Sequence, residues 1–165
     1  MESGGTRTNV GRQVSVPAPA NSPATTTEAA VLHRFALIAA GIAGATGIAI
    51  GAFGAHGLED RLLDMGVAAE TVARRLPQFD TGARYHLAHA VALLAIAALP
   101  IPPSRLQSVV TWLFLVGIVF FSGSLYVLVL TNTPWLGAIT PIGGVSWIIA
   151  WSGLAWLGLK SPPAR

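Results

Sequence analysis

From residue 106 to residue 159 the chain carries no Asp, Glu, Lys, Arg or His. A water-soluble fold has to turn a polar face to solvent, and this stretch has no charge to place there. Hydrocarbon is the simpler solvent, and in it backbone groups must be satisfied inside helices or a closed barrel. The whole sequence of 165 residues leans the same way: 53% is hydrophobic and 10% charged, against roughly 25% charged in an average soluble domain. The expectation is an all-α membrane protein, a four-transmembrane-helix bundle with a disordered N-terminal tail.

A hydrocarbon core of about 30 Å needs about 20 helical residues at 1.5 Å each. Residues 35–53 meet that length without a charge and run into the glycines at 54 and 57. The small residues there also resemble a signal-peptidase site, although the run is long and far from the N-terminus for one. Before it, residues 1–30 are rich in Gly, Thr, Ser, Pro and Ala and read as a disordered tail. Residues 59–84 hold five acids and four arginines, consistent with either an interfacial helix or a solvated loop. Pro77 suits the first turn of the next helix, and Asp80 stands four residues before Arg84, the favourable order for a helical ion pair.

The spans are expected at about 35–54, 82–99, 108–130 and 135–159, within a membrane domain 31–160 followed by a short tail 161–165. The second is short in apolar residues and relies on the polar turn 78–84 to reach the headgroups. Trp112 reads as an interfacial anchor. Residues 131–134 (Thr-Asn-Thr-Pro) form a tight turn that makes the last two spans an antiparallel hairpin. Arginine and lysine counts near the span ends almost balance, and the distant Arg7 and Arg12 tip them towards both termini in the cytoplasm.

No cysteine is present, which excludes disulfides, thiolate metal sites, iron–sulfur clusters and a cysteine nucleophile. The net charge of +3 is scattered and forms no basic stripe with aromatics, so nucleic acid is not an expected partner. No Ser lies in a Gly-x-Ser-x-Gly elbow, no phosphate loop is present, and the chain is not expected to be an enzyme or to carry a cofactor.

Ala39, Ala43, Gly47, Gly51 and Ala55 recur every four residues and line one helix face. Such a face serves packing within the chain, a dimer contact or a pore lining. His56, His86 and His89 lie towards one side of the membrane, with His86 and His89 three apart on one helix face. They are read as helix-end hydrogen-bonding groups; the alternative is a metal, haem or proton-relay site using all three, with Glu59, Asp60 or Asp80 as a carboxylate. In the third span Ser122, Ser124 and Tyr126 put hydroxyls at mid-depth. In the fourth, Thr140, Pro141, Gly143, Gly144 and Ser146 place a proline kink beside two glycines. Both groups are read as packing motifs, with a broken helix lining a substrate site as the alternative.

Four strings together carry a resemblance. Residues 51–58 (Gly-Ala-Phe-Gly-Ala-His-Gly-Leu), 85–89 (Tyr-His-Leu-Ala-His), 121–126 (Phe-Ser-Gly-Ser-Leu-Tyr) and 140–146 (Thr-Pro-Ile-Gly-Gly-Val-Ser) resemble the domain-of-unknown-function 423 family. These are small four-helix bacterial membrane proteins with eukaryotic transmembrane protein 256 relatives. The likeness covers about residues 35–158 in order. His56 and His89 match the family pattern, while the position of His86 can be Gln in it, against an obligatory two-histidine metal pair. The resemblance implies the fold and a multi-pass place in the bacterial inner (plasma) membrane, and it implies no activity. Tyr85, His86, His89 and His56 join the hydroxyl and glycine motifs as candidate ligand or helix-packing residues. The favoured role is structural, accessory or partner-binding, with the lipid bilayer, another membrane protein or a second copy as partner. The alternative is transport or ligand binding through a polar cavity lined by His56, His89, Tyr126 and the Pro141 kink.

Overall fold

Once its backbone is hydrogen-bonded internally, an apolar run can lie in lipid with its side chains outward, and the long apolar runs of this chain are helical. The computed structural model describes residues 23–99 and 104–160. In chain order these form α1 (Pro23–His56), α2 (Leu58–Asp64), α3 (Ala69–Ala98), α4 (Arg105–Gly117), a π-helical turn (Ile118–Gly123), α5 (Ser124–Thr131), a 3₁₀ turn (Pro134–Ala138) and α6 (Thr140–Lys160). No strand occurs among the described residues. Among the described residues, three helical stretches are long and apolar enough to cross a membrane: Ala30–His56, Arg105–Thr131 and Pro134–Lys160. Large apolar side chains face outward on all of them, as with Ile48 at 65%, Val119 at 64% and Ile148 at 67% exposure. A soluble monomer rarely leaves apolar surface uncovered on that scale.

The expected tail of residues 1–30 lies outside the described residues up to 22, and from Pro23 onward it is helix. Proline at the first helical position has its φ preset and loses no bonded N–H, and the Ala and Glu after it are strong helix formers. The proline turn at 100–103 and the tail 161–165 also lie outside the described residues.

The charged region resolves into α2 and the first half of α3. Leu58 and Leu62, one helical turn apart, are fully buried beneath α3 against Val72 and Phe79. Gly66 ends the segment with φ +76°, a backbone state costly for any residue with a Cβ. α3 then runs unbroken from Ala69, so the helix is much longer than the expected 82–99 and Pro77 lies inside it rather than in its first turn. Pro77 is exposed near the N-terminal end, where the lost bond lies close to solvent. Asp80 and Arg84 form the expected ion pair at 2.8 Å, well exposed, a geometry worth about 0.3–0.5 kcal/mol.

α1 packs along α3, α4 packs along α6, and α3 lies against the π turn and α5. α3 therefore occupies the centre, with Leu93 and Ile96 completely enclosed, whereas α1 buries only Ala36, Ala40, Ala43 and Gly47 among its described side chains. At one end, Arg75 of α3 donates to Asn132 Oδ1 from Nε at 3.1 Å and Nη2 at 2.7 Å, holding the hairpin turn. Asn132 adopts the left-handed φ of 48° that ends α5. At the other end, Gln107 at the start of α4 donates to the Ile96 carbonyl at 3.4 Å. Phe35 of α1 meets Trp112 of α4 there, with ring centroids 5.1 Å apart.

Pro141 introduces no kink. It occupies the first turn of α6, exposed, where no helical bond is lost, and the 3₁₀ turn before it makes the bend. The third span holds the irregularity instead, in the π turn over Ile118–Gly123.

Candidate functional site

The expected polar residues form four separate groups, three of them inside the bundle. The first is built on His89. Its Nδ1 lies 2.7 Å from the carbonyl of Tyr85, one turn earlier on α3. A carbonyl only accepts, so this nitrogen carries the proton and Nε2 presents its lone pair. That lone pair accepts from Trp151 Nε1–H at 3.3 Å. The imidazole also stacks on Trp147, with centroids 3.7 Å apart and planes 1° from parallel. Trp147 in turn donates to the Phe114 carbonyl at 3.1 Å. Tyr85 lies 5.7 Å from the Trp147 ring, and Phe121 lies 4.8 Å from it. Both His89 nitrogens are thus committed, and the ring acts as a tie between α3 and α6.

The second cluster lies between α3, α1 and α5. His86 Nδ1 and the Tyr126 hydroxyl are 3.3 Å apart. Tyr126 packs on Phe79 at 4.9 Å and fits over Gly82, where a Cβ would come 2.9 Å from its ring. Ser122, fully enclosed, stands one turn before Tyr126. His86 Nε2 and Ser122 Oγ are buried without a well-formed hydrogen bond. Each has a polar neighbour in reach, the Ala43 carbonyl for His86 and the Tyr126 hydroxyl for Ser122.

The remaining hydroxyls stitch the hairpin. Ser124 Oγ–H donates to the Phe121 carbonyl at 3.0 Å, which leaves Thr140 as the donor in their 2.9 Å contact. Ser146 donates to the Leu113 carbonyl at 2.8 Å. Gly143 lets α6 touch the π turn so closely that a Cβ would collide with the Phe121 backbone, and Gly144 faces the same ring at 3.8 Å. Gly117 performs the matching service for the Trp147 indole.

The fourth location is His56, which is exposed and stands apart from both interior histidines. It lines a groove of about 700 Å³ between α1, α2 and α3, with Glu59, Asp60 and Asp80. The three histidines therefore do not converge, contrary to the metal or haem alternative. Among the described residues no group of three or more His, Cys, Asp or Glu could hold a metal ion. His56, His89, Tyr126 and Pro141 likewise do not share one polar cavity. Tyr126 borders an apolar groove of about 290 Å³ with Ala49, Ile50, Phe53, Phe79 and Leu130, on which neither histidine opens. The reason is helical geometry: three residues along α3 turn His86 towards α1 and α5 and His89 towards α6.

Trp147, Trp151, Gly82 and Gly117 were not among the expected site residues. Trp147 and Trp151 are four apart and share a face of α6, a legible signal, and Gly82 is four before His86 on α3. Nothing local pointed to Gly117, whose role depends on the indole opposite.

Comparison with known proteins places the chain among membrane proteins. The family described as "Protein of unknown function (DUF423)" matches residues 50–144. The UPF0382 membrane protein YwdK of Bacillus subtilis is 46% identical over 106 residues, 63% of this chain and 79% of that protein. A UPF0382 membrane protein of Staphylococcus epidermidis is 43% identical over 113 residues, covering 68% of this chain and 85% of its own. One of Haemophilus influenzae is 37% identical over 114 residues, covering 69% and 85%. No solved structure matches the chain. The chain belongs to the DUF423 family of membrane proteins.

Proposed function

We propose that this DUF423 member is a four-helix, multi-pass protein of the bacterial inner membrane with an accessory, partner-binding role and no catalysis of its own. α3 is the fourth crossing in this reading. It runs beside the apolar span 105–131 from Arg75 at the Asn132 turn to Ile96 beside Gln107. The 21 steps of 1.5 Å between them measure about 32 Å, enough for a crossing whose polar first turns, 75–84, lie among the headgroups. Four crossings put both termini on one side, taken as the cytoplasm. Asp64→Cys on α2 and Lys160→Cys at the end of α6 would then react with an impermeant maleimide from opposite faces; labelling from one face removes the fourth crossing.

One observation carries the functional reading. Apart from Ser122 Oγ and His86 Nε2, the motif side chains of the interior bond to one another or to backbone, while α1 carries apolar faces outward. Every one of the four cavities described borders α1. α1 joins an outward apolar face to these grooves, and in this reading it is the helix that another membrane protein or a second copy engages. The sequence has no cysteine, so a single one reports its own neighbours. Ala45→Cys on the outer face of α1 should cross-link in native membranes to one defined protein or to itself, and Ala155→Cys on α6 should not. Equal or absent cross-linking from both positions overturns the role.

A further inference from the structure

The groove at the end of the first span brings together His56, Glu59 and Asp60, none of which takes part in an interior contact described above. Its volume of about 700 Å³ falls within the range of small-molecule sites, about 300–1,000 Å³. Its two ends differ in chemistry. Gly51, Gly54, Phe79 and Ala83 make an apolar floor, and His56, Glu59, Asp60 and Asp80 make the rim. No Lys or Arg lines it. Arg84 offsets Asp80 from outside, but Glu59 and Asp60 have no ion pair among the described residues. The wall adds an acceptor independently of the carboxylates. Pro77 has no N–H to give the carbonyl of Ala73, and both residues line the groove. The floor lies along an apolar span that ends at His56, so the rim is at the boundary with water.

We propose that this groove binds an amphiphile whose head is a protonated amine. The ammonium donates to Glu59, Asp60 and the Ala73 carbonyl, and the hydrocarbon body lies over Gly51 and Phe79. A bare metal ion has no use for the apolar floor, a neutral head gains no charge attraction from the rim, and an anionic head is repelled by its carboxylates. This site is independent of the partner-binding role of the outer face of α1.

The test uses the full chain in maltoside detergent, with decylammonium as probe and decanol and decyl sulfate as equal-length controls. Decylammonium should raise the unfolding midpoint saturably, and the controls should not. The double substitution Glu59→Gln, Asp60→Asn should weaken binding about tenfold or more, as expected for lost charge-assisted hydrogen bonds. Gly51→Leu should abolish it by filling the groove; the added Cβ meets Ala83 at an ordinary 3.9 Å, so the protein without probe should keep its midpoint. If Gly51→Leu unfolds, the exposed carboxylate pair alone decides. In phosphatidylglycerol nanodiscs, displacement of the probe by added phosphatidylethanolamine identifies a lipid headgroup as the natural source, and persistence of the probe identifies a free amine. Equal response to decanol, or unchanged affinity in the carboxylate variant, overturns the proposal.

Discussion

α4, the π turn and α5 meet α6 through bonds that have direction, whereas α1 meets α3 mainly through shape. In the hairpin, Trp147 and Ser146 donate to the carbonyls of Phe114 and Leu113, and Thr140 bonds Ser124. In the α1–α3 pair, Leu87 fills the hollow over Gly47 and Phe79 the hollow over Gly54. His86 approaches α1 without a well-formed bond from Nε2. Lipid offers no hydrophobic drive for helix association, so close packing and interhelical bonds have to supply it. The hairpin uses both and α1 almost only the first. That difference explains why the grooves gather around α1.

The comparison is broken most directly at Trp147. Trp147→Ala removes the His89 stack and the Phe114 bond together and should cost about 3–5 kcal/mol in detergent unfolding. A cost below 1 kcal/mol would mean the hairpin is not the locked half. Next comes Gly143→Ala, which forces a Cβ into the Phe121 backbone and should cost about 1–3 kcal/mol. Gly44 is its counterpart on α1, with nothing within 4 Å of an added Cβ. Gly44→Ala should therefore be neutral or stabilise by up to about 1 kcal/mol through helix propensity. Matching losses at both glycines would erase the distinction. The smallest effect belongs to Ser146→Ala, about 0.6 kcal/mol for one interhelical bond, read as a shift in the same unfolding midpoint.

Much of this was legible in the residues. The charge-free stretch 106–159 dictated lipid and helix, and the Thr-Asn-Thr-Pro turn dictated the hairpin. The Asp80–Arg84 pair followed from its spacing. Three features were not legible, each for a physical reason. Pro77 favours a helix start by local preference, but the packing of Val72 of α3 against Leu58 and Leu62 of α2 carries the helix back past it. Pro141 suggests a kink because the apolar run continues on both sides of it, and nothing in that run marks the 3₁₀ turn. Within α3, spacing placed His86 and His89 on a shared face, yet the interval also spans the boundary between two neighbours.

The sequence by itself determined that this chain is helical, that it belongs in a membrane, and where most of its spans lie. Those follow from side-chain solvation and helical rise, which act along the chain. Only the tertiary structure decided what each polar side chain is for: His89 tied to Trp151, His86 facing Tyr126, His56 left at an open acidic groove. A hydrogen bond needs a partner at about 3 Å with the right direction, and residues as distant in sequence as His89 and Trp151 acquire that relation only when the helices pack.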